Sequence, residues 1–399
     1  MDRFTKNTST GTSQRYDAVV VGARCAGAAT AMLLARRGLR VLAVDRGSYG
    51  ADTLSTHALM RAGVFQLARF GVLDRIIAAG TPLVDRTVFH YEDERVDVPI
   101  KPKDGVPGLF APRRTLLDRV LVDAAVEAGA SVRHGLRVVD LLRNARGRVE
   151  GVELTDNDGR TQAVRAGIVI GADGLHSTLA GLVESRVTRQ GRHATATVYG
   201  YWSGLDLQGY HWYWGRGAGA GAIPTNDGLV LLFAGVTPKR FARDFRHDVP
   251  GAYRRVLEEV APDLAERLAG AELVGHLQGF AGHTGYLRRP WGAGWALVGD
   301  AGYFKDPITA HGISDALRDA ELLADAVAGG GDGALAEYEQ RRDALSIDLF
   351  ETTEAIASLE WDNASLKSHH RRLSDAMKHE VRALAALFEE RREPAGLGA

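Results

Sequence analysis

The chain has 399 residues, 45% of them hydrophobic and 25% charged, with a formal net charge of −1. That length exceeds what one hydrophobic core usually serves and predicts two closely associated domains. Near-neutrality gives no electrostatic reason to expect nucleic acid or an anionic membrane as partner. The single cysteine, Cys25, rules out an internal disulfide and a cysteine-rich metal centre; it suits a reducing cytosol, so a cytoplasmic location is expected.

Residues 1–14 are polar and rich in Ser and Thr, and read as a disordered leader. No apolar run approaches the roughly 20 residues of a membrane span. Tyr16 to Gly22 is a short, β-branched run ending in glycine, as expected of a buried parallel strand. Gly22-Ala-Arg24-Cys-Ala26-Gly27 follows, then the Ala- and Leu-rich helical stretch from Ala28 to Arg37, stopped by Gly38. Leu39 to Val44 is a second strand with Asp45 at its end, followed by Arg46. Asp45 therefore lies about 20 residues beyond the first glycine, the spacing at which an acid meets the ribose hydroxyls of a bound dinucleotide. Gly22 permits the tight turn, Gly27 lets the helix approach the strand, and the helix N-terminus faces the pyrophosphate. The middle glycine of this fingerprint is replaced by Arg24, which either points outward or contacts a phosphate. Taken alone, this unit fits NAD as well as FAD.

Thr53-Leu-Ser55-Thr56-His57 comes next. His57 is a candidate acid, base or substrate-orienting group, while Ser55 or Thr56 would cap a following helix. Arg113-Arg114-Thr-Leu-Leu117-Asp118 opens a helix, and Ala166 to Ile170 forms a strand that runs into Gly171-Ala-Asp173-Gly174-Leu-His-Ser177. From about Thr195 to Thr284 the character changes. Val198–Trp202, His211–Trp214 and Leu229–Phe233 read as aromatic and β-branched strands. The Gly215–Gly221 run and Pro224–Gly228 read as turns, the latter a hairpin signal at Asp227-Gly228. Pro238 to Glu266 is mostly helical. About half of the strand aromatics should line a pocket, with Tyr201, Trp202, His211 and Tyr213 as the candidates. Trp295 to Gly299 is a strand ending in Gly-Asp300, followed by Lys305 and by Pro307-Ile-Thr-Ala310-His311-Gly312-Ile313-Ser314-Asp315. Asp300 is read as functional and Asp315 as a turn or capping residue. Beyond Ala334 the chain is helical, with Leu373, Met377, Val381, Leu384 and Phe388 at helical spacing. This segment is expected to pack on its own chain, a homodimer interface being the alternative. No metal site emerges from the scattered histidines, and the pair His369-His370 is expected to be solvated.

These four segments in this order resemble the p-hydroxybenzoate hydroxylase superfamily, the class A flavoprotein monooxygenases, whose relatives include geranylgeranyl reductases and flavin-dependent halogenases. The resemblance runs from about Asp17 to about Tyr338. It implies an α/β fold: a Rossmann-like FAD-binding domain (residues 15–75, 100–185 and 285–345), an inserted mixed sheet and helix substrate domain (76–99 and 186–284), and C-terminal helices (346–399). It implies that FAD is held by Gly22, Arg24, Ala26, Gly27, Asp45, Arg46, Arg114, Asp173, Gly174, Asp300, Pro307, Gly312 and Ile313. Asp173-Gly174 matches the Asp-Gly motif near the pyrophosphate and nicotinamide route, Asp300 the Gly-Asp motif acid of the ribityl chain, and Arg114 the arginine of the R-x-x-L helix. Pro307 to Ser314 aligns with P-x-x-G-Q-G-x-N, with Ala310, His311 and Ser314 in place of Gly, Gln and Asn. The arginine often found three residues after Ser177 is Ala180 here.

His57, Lys305 and His311 would then lie at the flavin edge as catalytic candidates. The implied activity uses NAD(P)H and O2 to hydroxylate or epoxidise an aromatic or polycyclic small molecule, with no separate NAD(P)H domain visible and an external flavin reductase left open. A halogenase would carry W-x-W-x-I-P and a lysine near the substrate. Trp212-Tyr-Trp214 is present, but Ile223-Pro224 falls too late and Leu73 to Gly80 holds no lysine. A geranylgeranyl-reductase-like enzyme acting on a C=C bond is the alternative, and a flavin-binding accessory protein without turnover is the non-enzymatic one.

Overall fold

The computed structural model describes residues 15–92 and 94–392, so the expected leader lies outside the described residues. The chain opens as β1 (Arg15–Val21), α1 (Cys25–Arg36) and β2 (Val41–Asp45). Two helices, α2 (Arg61–Arg69) and α3 (Leu73–Ala78), lead to the antiparallel pair β3 (Arg86–Tyr91) and β4 (Glu94–Pro99). Next come α4 (Arg114–Glu127), β5 (Ser131–His134), β6 (Leu136–Arg143), β7 (Val149–Asp156), β8 (Thr161–Gly171) and α5 (Thr178–Leu182). A second run of strands follows: β9 (Val187–Gln190), β10 (Ala196–Ser203), β11 (Tyr210–Gly215), β12 (Ala218–Pro224) and β13 (Val230–Val236). Helices α6 (Pro238–Asp244), α7 (Val249–Val260) and α8 (Pro262–Arg267) separate these from β14 (Glu272–Phe280), β15 (Tyr286–Arg288), β16 (Trp291–Gly292), β17 (Trp295–Leu297) and β18 (Tyr303–Phe304). Three helices close the chain: α9 (Gly312–Gly329), α10 (Gly331–Ala357) and α11 (Asn363–Arg392).

The first sheet has the order β16-β17-β8-β1-β2-β5, with β7 and β6 added antiparallel beyond β8. Its central strands are parallel, and β1 is buried on both faces because each face is covered. Ala18 and Val20 enter the core shared with α1, α4 and α9. Val19 and Val21, one residue out of phase, enter the core shared with α5 and the β6–β7 pair. The second sheet has the order β14-β10-β13-β12-β11-β3-β4 and is antiparallel except at β11–β3. One of its faces packs on α7 and α8 through Val198, Trp202, Ala220, Leu232 and Tyr253. The other packs on the loops around Ala58, Leu109 and Ile308 and on the C-terminal helices through Ile356, Trp361 and Leu366.

Three expectations are corrected. The Gly215–Gly221 run is not all turn: the reversal is confined to its first residues, and β12 begins at Ala218 in the interior of the sheet. Composition misled because the glycines there serve packing. A Cβ on Gly221 would lie 2.3 Å from the Phe233 ring, and one on Gly215 would lie 2.7 Å from the Val260 side chain. Ser55 and Thr56 cap no helix, since α2 starts only at Arg61; Ser55 Oγ instead accepts the His57 backbone N–H at 3.1 Å. His370 is not solvated. Its Nδ1 lies 2.6 Å from the Tyr91 hydroxyl and its ring sits 4.8 Å from Trp214, and burial drives its pKa down to about 3. In α11, Val381 and Leu384 are buried and Leu373 packs under the second sheet, while the Phe388 side chain lies outside the described residues.

Candidate functional site

The C-terminal ends of β1, β2, β8 and β17 converge on one edge of the first sheet, where open parallel sheets bind their ligands. Gly22 turns at φ +102°, and a Cβ there would lie 2.4 Å from the Ala172 carbonyl oxygen. A Cβ on Gly27 would lie 1.9 Å from Gly22 O. Both positions therefore demand glycine because backbone meets backbone. The first helical bond of α1 runs from Ala28 N–H to Arg24 O, so the N–H groups of Cys25, Ala26 and Gly27 have no partner within the helix. The Asp45 carboxylate accepts from Ala23 N–H at 2.8 Å and Gly47 N–H at 2.7 Å, which fixes it beside this turn. Arg46 follows on the exposed side.

Arg24 turns across the start of α1. Its guanidinium lies 3.2 Å from Asp118 and 3.3 Å from the carbonyls of Ala51 and Asp52, at the rim of a cleft that Ala23, Asp45 and His134 also line. Arg114 grips the same Asp118 carboxylate through two nitrogens, the closer contacts at 3.0 Å, and the Cys25 thiol donates to it at 3.1 Å. Burial, and then the Asp118 charge, push that thiol far above its ordinary range, so Cys25 is inert. Asp173 accepts from Ser177 Oγ at 2.5 Å and Leu179 N–H at 3.1 Å, capping α5, with burial raising its pKa. Gly174, at φ +80°, faces open space. Asp300 differs: among the described residues its carboxylate accepts no hydrogen bond. Burial lifts its pKa to about 6 against the pull of Lys305 and Arg114. Gly299 beside it packs so closely on α1 that a Cβ would lie 2.9 Å from the Ala26 methyl.

The second half of the site is the Pro307–Gly312 turn. Pro307 opens a short 3-10 turn, and Ala310 takes the left-handed conformation at φ +50°, where the aligned superfamily motif has glycine. Gly312 is exposed, and a Cβ added to it would meet nothing within 4 Å. The α9 N–H groups of Gly312, Ile313 and Ser314 lack helical partners, since the first bond joins Asp315 N–H to His311 O. Behind the turn lies a buried charge cluster. Lys305 pairs with Asp315, Arg318 reaches Asp315 at 3.0 Å and Asp319 at 2.7 Å, and Glu380 of α11 reaches both Arg318 at 2.8 Å and His311 at 2.6 Å. Burial, then the Arg318 charge, lower the Lys305 pKa to about 7. Asp315 is thus an ion-pair partner in the first turn of α9 rather than its cap.

His57 and Tyr201, separate candidates in the sequence, meet here: His57 Nε2 lies 3.0 Å from the Tyr201 hydroxyl, with the rings stacked at 5.8 Å. The Arg113 guanidinium covers the Tyr201 ring at 4.1 Å and pairs with Asp52 at 3.6 Å. Burial, followed by the Arg114 and Arg113 charges, drives the His57 pKa down to about 3, so the imidazole is neutral at physiological pH. It sits at φ +44°, an uncommon conformation for histidine, and its Nδ1 is buried without a partner among the described residues. Tyr199 accepts from Ser55 N–H at 3.1 Å and donates to Gln278 at 3.0 Å.

Trp202, His211 and Tyr213 are corrected. They point to the opposite face of the second sheet, where Trp202 stacks on Tyr253, His211 touches His90 at 3.1 Å and Tyr213 donates to Asp263 at 3.1 Å. Strand alternation puts Tyr199, Tyr210, Trp212 and Trp214 with Tyr201 on the inner face instead. That alternation was the available signal, but it left the choice of face open. Glu380 carried no sequence signal at all.

The residues at this edge fit FAD. A turn open only to glycine, two helix N-termini with unpaired N–H groups, the Asp45 carboxylate and an Asp300 carboxylate with free acceptor capacity form a donor and acceptor set suited to pyrophosphate, ribose and ribityl groups. The comparisons agree. Residues 15–353 match the FAD binding domain family. The chain is 28% identical over 395 residues to the digeranylgeranylglycerophospholipid reductase of Methanothrix thermoacetophila, covering 93% of this chain and 95% of that one. Among solved structures, the flavin-dependent brominase Bmp2 superposes with a TM-score of 0.78 at 18% identity, covering 95% of this chain and all of that one. PqsL of Pseudomonas aeruginosa, described as a probable FAD-dependent monooxygenase, gives 0.74 at 20% identity, covering 92% of this chain and 100% of that one. With a turn, acids and helix ends of this kind in one crevice, and a match across most of its length, the chain belongs to the FAD binding domain family of flavin-dependent oxidoreductases.

Proposed function

We propose that the protein is an FAD-dependent monooxygenase, reduced by NAD(P)H, that inserts an oxygen atom from O2 into a flat, apolar aromatic or polycyclic compound. The observation that carries this reading is the inner face of the second sheet. Tyr199, Tyr201, Tyr210, Trp212 and Trp214 share one apolar cluster with Ala58, Ile308 and Ala310 of the two loops at the cofactor edge. When bound and reduced, FAD supplies the electrons and the centre at which O2 is activated.

The chain itself holds and orients. Asp45, Asp300 and the N-termini of α1 and α9 bind the cofactor. The aromatic face excludes water and stacks the substrate. With a pKa near 3, His57 is too weak a base to take a proton at neutral pH. Together with Tyr201, whose phenol burial holds protonated, it orients a polar substituent through a hydrogen bond. Lys305, lowered to about 7, and Asp300, raised to about 6, are groups of this region shifted towards the working range.

Reduction of a C=C bond is the second reading. It is favoured by the kinship with the Methanothrix reductase, and by 30% identity over 335 residues to digeranylgeranylglycerophospholipid reductase 2 of Methanopyrus kandleri, covering 76% of this chain and 74% of that one. Absorbance of the purified protein, followed by NADPH oxidation and O2 uptake with aromatic candidates, tests both. Monooxygenation gives substrate-dependent O2 consumption matched to product. Anaerobic turnover without O2 uptake favours the reductase, and a colourless protein that FAD cannot reconstitute removes both.

A further inference from the structure

His311 occupies the N-cap position of α9, one residue before the exposed Gly312, yet its side chain caps nothing. Its imidazole is fully buried; Nε2 lies 2.6 Å from Glu380 Oε2, and Nδ1 has no partner among the described residues. Glu380 comes from α11, more than sixty residues further along the chain. Its other oxygen, Oε1, accepts from Arg318 at 2.8 Å. Burial alone would raise the Glu380 pKa, but His311 and Arg318 outweigh it and hold the carboxyl below the usual range. Glu380 is therefore ionised and can only accept hydrogen bonds. Burial lowers the His311 pKa, so the ring carries a single proton near neutral pH; facing an ionised Glu380, that proton sits on Nε2 and Nδ1 is left as a bare acceptor.

We infer that Glu380 is a positioning residue: from the C-terminal helix it fixes the His311 tautomer, so that an imidazole nitrogen without its proton stands beside the N-terminus of α9. Arg318 makes the arrangement directional. It binds Asp315, Asp319 and the Ser346 hydroxyl at 2.7–3.0 Å and presents one nitrogen to Glu380. A carboxylate serves Arg318 and His311 at once because both of its oxygens accept. A glutamine has one accepting oxygen, which the charged Arg318 claims, so its amide N–H2 would face His311 and force the ring proton onto Nδ1. The groups facing the imidazole are Glu380 from α11, Asp315 and Arg318 from α9, and Lys305 from the loop just after β18. The paired lysine and arginine occupy the space between the acids.

The inference rests on the flavin lying beside this turn only for its consequence, not for the tautomer, so the test is made first without cofactor. In the FAD-free full-length protein, 15N NMR of the histidine rings should show His311 protonated at Nε2, and in Glu380→Gln it should show the proton on Nδ1. A wild-type His311 protonated at Nδ1 overturns the inference even if the variant fails to fold. A Glu380→Gln protein that keeps the Nε2 proton also overturns it. With FAD bound, reversal of the tautomer together with a changed flavin reduction potential supports both the positioning role and the placement of the cofactor. Reversal with an unchanged potential supports the positioning role and counts against that placement.

Discussion

At the scale of single residues, Asp300 and the His57–Tyr201 pair carry the sharpest expectations. The Asp300 pKa is raised from 3.8 to about 6. Its protonation therefore supports the native state fully below about pH 4, and that support is lost as pH rises through about 6. In FAD-free protein, Asp300→Asn should melt higher than wild type at about pH 7.5, with the difference vanishing near pH 4, while its FAD affinity falls by roughly tenfold or more, as expected when a charge-assisted hydrogen bond is lost. Equal melting temperatures at both pH values would show that the carboxyl is not held in a desolvating site. His57 behaves in the opposite sense. Its pKa is lowered from 6.5 to about 3, so its contribution to stability is complete above 6.5 and lost as pH falls through 3. Neither it nor Tyr201 titrates in the working range. Tyr201→Phe should accordingly lower kcat/KM about fivefold, the value of one neutral hydrogen bond, by the same factor across pH 6–9. A loss confined to one limb of the profile would make the pair a proton-transfer device instead.

Among the elements, β12 shows how much the second sheet depends on small residues. Ala218, Ala220 and Ala222 are buried against α7, and Gly221 makes room on the other face for Phe233. Gly221→Leu must displace the Phe233 ring in an interior strand. Overpacking of this kind costs about 1–3 kcal/mol, read as a lower midpoint of denaturant unfolding with an unchanged slope. An unaltered midpoint would mean that the Phe233 ring swings aside without loss of packing. Helix α9 holds the two halves of the site together. Its N-terminus carries the Gly312 turn, its length packs on α1, α2 and α10, and Arg318 ties it to α11 through Glu380.

For the whole molecule, one continuous core joins β1, α1, α2, α4, α9 and Leu384 of α11, which predicts cooperative unfolding. A ligand that binds only the native state at about 100 times its dissociation constant adds about 2.7 kcal/mol. Titrating FAD to that level should raise the melting temperature of one transition recorded by both far-ultraviolet circular dichroism and tryptophan fluorescence, since the tryptophans span both sheets. Two transitions, only one of them moved by FAD, would separate the first sheet from the aromatic one as independent units.

The opening strand, glycine turn, helix, second strand and Asp45 were legible in the chain because they are local. A parallel strand ending in glycine, an alanine-rich helix and an acid at fixed spacing need only neighbours in sequence to be recognised. The substrate face was half legible: alternation told that Tyr201 and Trp202 must part company, but which side meets the cofactor depends on what packs behind the sheet, and α7 and α8 claimed Trp202 and Tyr213. The glycine run of β12 was misread because composition does not distinguish glycine chosen for a turn from glycine chosen to admit a ring. His57 with Tyr201, Arg24 with Asp118 and His311 with Glu380 were decided by the tertiary structure alone. Each pair spans some 70 to 140 residues of chain, and a desolvated ion or imidazole finds its partner only when distant elements are packed around it.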